Sequence, residues 1–249
     1  EIPLEFGVRV IQQHLFANNK DRRRNPNIVP FMFIFLSSKD EKQLIFNKIF
    51  SFVDQCTCKE EMFTVLRDLY HQVMSSTSDN LRYMEPYVNY FEKKVSLTED
   101  FYDFIKVFFL KCKLESSQWT VDHLANKILV FFEEVVAKCG PWVIHLFARE
   151  MNVGLAYFAK KPVTRNEFYC AMMKQRPIPI VAILLLEVVS EPSCGSSPDG
   201  KAHYHELLQL MKNVEDPAVQ IFLGRKKYKS YGRSFSEDRD DVSVNWDYM

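Results

Sequence analysis

His205-Glu206-Leu207-Leu208-Gln209 falls one residue short of a zinc-protease sequence. Such an enzyme needs two histidines four apart on a helix with a glutamate beside the first, so that both imidazoles face one ion. Gln209 stands where the second histidine would be. His203 and His205 with Cys194 supply three further potential ligands, but their separation matches no zinc spacing and a fourth ligand is missing. Cys56-Thr57-Cys58 is one residue shorter than the redox Cys-x-x-Cys arrangement. At a predicted helix start it offers either a dipole-stabilised thiolate or two small residues flanking a cap. Cys139 or Cys170 with His145 or His123 would supply a nucleophile and its base. No motif for a strained nucleophile turn, an oxyanion hole or a Gly-rich approach accompanies them. The sequence therefore predicts no catalytic residue, no metal and no cofactor.

The remaining chemistry is non-covalent. Lys20, Arg22, Arg23 and Arg24 stand against Asp21 alone, in what should be the first loop. Arg225, Lys226, Lys227, Lys229 and Arg233 form a second basic cluster, interleaved with Tyr228 and Tyr231. Both suit phosphate contacts, the second also a nuclear-import signal; a solvated loop and a flexible tail are the alternative. The charge then reverses, with Glu237, Asp238, Asp240, Asp241 and Asp247 against Arg239. Here Val242, Val244, Trp246 and Tyr248 alternate with Ser243, Asn245 and Asp247, the period-two pattern of an extended segment. Such a segment either adds to a partner's sheet edge, with Trp246 and Tyr248 as anchors, or folds back over its own body. Ser234 and Ser236 precede acidic residues, and phosphate there would deepen the negative block.

These residues must be carried by helices. Seven glycines in 249 residues argue against phosphate loops, dinucleotide-binding turns and hairpin-rich β folds, all of which need residues tolerant of positive φ. Apolar residues at 47%, with 21 Phe, are enough for a sizeable core and exclude a disordered chain. Lys and Arg balance Asp and Glu at 32 each, so no global charge announces a nucleic-acid or membrane partner. Met62, Phe63, Leu66, Leu69, Tyr70, Val73 and Met74 follow three-and-four spacing, as do Leu124, Ala125, Ile128, Leu129, Phe132 and Val135. Phe101, Phe104, Phe108 and Phe109, and Phe46 and Phe50, recur at helical spacing and are expected in the core; any left on a surface would anchor a protein interface. Ser38 with Glu41, Thr57 with Glu60, Ser96 with Glu99 and Thr164 with Glu167 have capping-box spacing. The pattern predicts helices near 3–18, 28–37, 39–55, 58–75, 78–94, 97–112, 117–138, 141–159, 165–175, 178–190, 202–213 and 216–224. The expectation is an all-α fold of antiparallel helical hairpins.

Thr57 and Ser96 are 39 residues apart, about one helical hairpin. Over residues 38–190 this alternation resembles a HEAT or armadillo-type stack, in which each hairpin covers the apolar face of the next; an irregular helical bundle is the alternative. The reading divides the chain into a main helical domain over 1–190, a Pro/Ser/Gly-rich linker or loop over 191–201, a helical pair over 202–224 and a basic-then-acidic tail over 225–249. The longest apolar runs, 28–36 and 178–186, are too short to span a bilayer, so no membrane insertion is expected. Dispersed cysteines and the lack of an Asn-x-Ser/Thr site suggest the cytosol or nucleus. The expected function is a non-catalytic scaffold or adaptor within a larger complex, with other protein subunits as partners. Its candidate contacts are Arg22, Arg23, Arg24, Arg225, Lys226, Lys227, Tyr228, Val242, Val244, Trp246 and Tyr248. The alternatives are a nucleic-acid-associated helical protein using the two basic clusters and an enzyme with a Cys/His site assembled across helices.

Overall fold

The computed structural model describes residues 39–56, 58–75, 81, 83–116, 119–159, 164–189 and 198–232. Its helices are α1 (Lys39–Val53), α2 (Lys59–Ser75), α3 (Glu85–Glu92), α4 (Phe101–Glu115), α5 (Val121–Cys139), α6 (Ile144–Ala156), α7 (Arg165–Gln175), α8 (Pro179–Val189), α9 (Pro198–Lys212) and α10 (Pro217–Gly232), with a 3-10 turn at Pro141–Val143. The described residues contain no strand, so the fold is all-α.

The apolar stripes go where their periodicity directs them. On α2, Phe63, Leu66, Leu69, Tyr70, Val73 and Met74 are buried, and on α5 so are Leu124, Ala125, Ile128, Leu129, Phe132 and Val135. Helix α8 is apolar nearly all round and must be covered on several sides; α6, α7 and α10 cover it. Starts are set by side-chain caps that accept orphan backbone N–H groups. Thr164 Oγ1 accepts from Glu167 N at 3.3 Å at the head of α7, and Asp216 Oδ1 accepts from Ala218 N and Val219 N at the head of α10. Thr120 caps α5 through His123 N at 3.2 Å, without the glutamate of a capping box.

Helices two apart in chain order pack on one another: α2, α4, α6, α8 and α10 form one continuous run, and α5, α7 and α9 another. Helix α1 packs on α3, while α3 and α4, α6 and α7, α7 and α8, and α9 and α10 close the two layers together. The second layer is interrupted, because α3 and α5 make no extensive contact.

Several boundaries differ from the sequence reading. Ser96 Oγ does accept from Glu99 N at 3.2 Å, but Asp100 Oδ2 accepts from Ser96 N, so the box closes a turn and α4 begins only at Phe101. The helix expected over 78–94 gives α3 from Glu85, with Pro86 in the first turn, where its missing N–H costs nothing. Helix α9 begins at Pro198, inside the expected linker. Helix α10 runs past Gly224 to Gly232: one glycine in a helix costs only about 1 kcal/mol, and the Arg and Lys that follow are good helix formers. The helices expected over 3–18 and 28–37, and the caps at Ser38 and Thr57, lie outside the described residues.

Candidate functional site

The break between α3 and α5 leaves a groove floored by α4. Two adjoining hollows make it up, sharing Lys111 and Glu115. One, of about 380 Å³, is lined by Glu92, Phe104, Val107, Phe108, Lys127 and Phe131 besides these two; the other, of about 420 Å³, by Glu85, Val88, Asn89 and Leu114. Helices α4 and α5 are held apart by large rings: Phe108 lies parallel on Phe131 at 3.9 Å, and Phe104 stacks on Phe131 at 5.9 Å. All three rings are half-buried, whereas Phe109, one residue on, is fully buried and packs against α6 at Gly154. The helical spacing of Phe104, Phe108 and Phe109 thus divides between a core and an outer surface, because α4 packs on one layer and only partly underlies the other.

Two ion pairs tie this floor to its walls. Lys111 Nζ lies 2.8 Å from Glu92 Oε1, joining α4 to α3, and Lys127 pairs with Glu115, joining α5 to α4. Lys127 Nζ also sits 4.6 Å above the Trp119 ring. These are exposed pairs, each worth under about 1 kcal/mol, so they can be exchanged for contacts to a visitor at little cost.

On the other side of α4 a different chain of charges stitches α2, α4 and α6. Arg67 holds Asp103 with three hydrogen bonds, Nε to Oδ1 at 2.9 Å and to Oδ2 at 3.2 Å and Nη2 to Oδ2 at 2.7 Å, and Glu60 through Nη1 at 2.9 Å. Lys106 Nζ continues the chain to Glu150 Oε2 at 3.0 Å. Beside it Tyr157 Oη is 2.5 Å from His71 Nδ1; burial, then the charge of Lys106, hold the His71 imidazole below its usual range, with Glu150 opposing. The near-complete burial of Asp103 and Glu150 makes this network an internal fastening.

The sequence-derived nucleophiles are not brought together. The Cys170 thiol donates to the backbone carbonyl of His203 at 3.1 Å, and burial followed by the charge of Glu206 pushes it up to about 12. Burial pushes Cys112 to about 12 as well. His145 pairs with Glu187 at 2.9 Å, and His123 lies against Trp119. His205 Nδ1 donates to the Lys201 carbonyl, and Glu206 is held by Lys174 at 2.6 Å, which keeps its carboxyl below the usual range. Among the described residues no group of three or more His, Cys, Asp or Glu side chains is placed to hold a metal ion. No helix among them is long and apolar enough to cross a membrane.

Of the sequence-derived contact residues, Arg225, Lys226, Lys227 and Tyr228 fall on the helical backbone of α10 rather than in a tail. Arg22, Arg23, Arg24, Val242, Val244, Trp246 and Tyr248 lie outside the described residues. The groove itself escaped the sequence reading. Phe104, Phe108 and Lys111 follow one another at helical spacing, but nothing local says that α5 stands off from them. Comparison of the chain with protein-family models, curated proteins and solved structures finds no match.

Proposed function

We propose that this chain is a non-catalytic helical scaffold within a larger assembly, and that the groove over α4 receives an amphipathic helix from a partner protein. The observation that carries this reading is the break between α3 and α5, where half-buried Phe104, Phe108 and Phe131 share one hollow with the Lys111–Glu92 and Lys127–Glu115 pairs. An aromatic patch adjoining paired acids and bases complements a helix with an apolar face and mixed-charge neighbours. The packing of helices two apart supports the reading of the body as a HEAT- or armadillo-like stack, an architecture that offers long surfaces to other proteins. The cytosol or nucleus is the compartment proposed for it.

Affinity purification of the whole chain tests this. The expected result is a protein recovered in stoichiometric amount and lost from the Lys111→Glu, Lys127→Glu double variant, with the helical circular dichroism of the variant unchanged. Equal recovery by both forms would count against the groove. A second reading, nucleic-acid association, is favoured by the helical backbone under Arg225, Lys226, Lys227 and Lys229. It predicts duplex DNA binding that falls steeply with salt and is lost when Arg225, Lys226 and Lys227 become Glu; binding retained by that variant would exclude these residues.

A further inference from the structure

A second outer surface lies across α4 from the groove, and its build differs. Helix α5 ends at Gly140, whose φ of +89° only glycine adopts without strain. Pro141 then opens the 3-10 turn, and Val143, fully buried, pins its far end. Between those fixed points Trp142 is 65% exposed, more than any other large apolar side chain among the described residues. Its ring is 6.5 Å from that of Phe101 and covers Gly140. An indole held outward by a specialised turn and backed by a second ring is a pre-formed contact, with little side-chain entropy left to lose on binding.

Two neighbours complete the surface. Tyr102, the second residue of α4, is 37% exposed, and the Arg149 guanidinium carbon stands 5.9 Å from its ring centre. Along α6 and the turn before it, Trp142, His145, Arg149 and Val153 recur at three-and-four spacing, all exposed, so they make one stripe beside Tyr102. The charges here are settled except for one. Lys106 is taken by Glu150 at 3.0 Å and His145 by Glu187 at 2.9 Å, whereas Arg149 has no carboxylate within ion-pair distance among the described residues. Trp, Tyr and Arg are the residue types that dominate protein-protein binding energy. An arginine stacked on a ring keeps its planar fork free for a carboxylate.

We propose that Trp142, Tyr102 and Arg149 form a docking site for an acidic peptide segment of a partner protein, its carboxylate on Arg149 and an adjacent apolar side chain against Trp142 and Tyr102. Charge complementarity selects this occupant: one guanidinium with no carboxylate partner among the described residues, beside two exposed rings, matches one carboxylate next to an apolar residue. A nucleic-acid backbone would instead need several free cations in a row. The site is separate from the groove, since Phe104, Phe108 and Lys111 line that side of α4, while Lys106 reaches across the other side to α6.

The test is selection of a random 12-residue peptide display library on the full chain, followed by binding titrations with the selected peptides. The expected outcome is enrichment of peptides bearing Asp or Glu next to an aromatic or aliphatic residue. Their affinity should fall about tenfold or more in Trp142→Ala and in Arg149→Gln, a size typical of central interface residues. Arg149→Lys should recover only part of the loss, because lysine cannot offer the fork. All three changes are at exposed positions, and unchanged helical circular dichroism confirms folding. No enrichment, enriched peptides without an acid, or equal binding to all variants would overturn the proposal. So would tighter binding, through the same residues, of a 20-base-pair duplex or of phosphatidylserine vesicles. Loss of binding by Lys111→Glu, Lys127→Glu in place of these variants would assign the peptides to the groove and also overturn it.

Discussion

Replacing a helical glycine by alanine ordinarily stabilises a protein, by about 0.5–1 kcal/mol. In Gly154 of α6 the sign should reverse. A Cβ built there meets Cγ, Cδ2 and Cδ1 of Phe109 at 2.5, 2.6 and 2.7 Å, where ordinary carbon contacts lie at about 3.5–4.0 Å. The Phe109 ring is fully buried and edge-on to Phe108 at 5.3 Å, which in turn lies flat on Phe131, so it has no open space to retreat into. Overpacking of this kind costs about 1–3 kcal/mol, with the upper part of the range expected for contact along a whole ring edge. Net of the backbone gain, Gly154→Ala should destabilise by about 2 kcal/mol and lower Tm by roughly 4–8 °C for a chain of this size. Thermal and urea unfolding followed by circular dichroism read this directly. Phe109→Leu in the Gly154→Ala background should recover part of the loss, giving a coupling energy between the two sites. An unchanged or raised Tm in the single variant would refute the close packing of α4 on α6.

The fastening of α2, α4 and α6 yields an asymmetric pair of results. Arg67→Met leaves Asp103, whose side chain is 3% exposed, with Lys106 at 4.0 Å as its one remaining ion-pair partner among the described residues, and should cost about 3 kcal/mol in urea unfolding. Glu60→Ala removes a partner that is 77% exposed and should cost no more than about 0.5 kcal/mol. Because the folded state holds His71 below its unfolded value of 6.5, its neutral form is favoured on folding. Stability should therefore fall as pH drops from 6.5 through the folded value, a decline that His71→Gln reduces. A further decline below about 4 follows from Asp54, lowered by Lys94 and then Tyr90, and from Glu206, lowered by Lys174. Timed alkylation of the native chain by iodoacetamide, read by mass spectrometry, should modify exposed Cys58 well before Cys112 and Cys170, whose thiols burial keeps protonated.

What could be read from the sequence was what local periodicity controls. The stripes of α2 and α5 and the span of α7 follow from three-and-four spacing and a single threonine cap, and the structure reproduces them. Features that depend on which helix meets which were not accessible. Phe104 and Phe109 share a helix and a residue type, yet one floors a groove and the other fills the core, because α3 and α5 diverge above α4. Trp142 was not legible as a contact, since its three-and-four neighbours His145 and Arg149 are polar and its exposure is set by the turn at Gly140. Gly224 misled in the opposite direction: a glycine followed by a basic run reads as a helix end and the start of a tail, yet nothing crowds that position and the helix passes through it.

Hydrogen-deuterium exchange on the purified chain, alone and with the protein that co-purifies with it, tests the scaffold reading most directly. Bound partner should slow exchange in the segments lining the groove, at 85–92 on α3, 104–115 on α4 and 127–131 on α5, while α9 at 203–212, two helices removed from α5 in the same layer, stays unchanged. Protection confined to other segments, or the same exchange with and without the partner, would contradict the account.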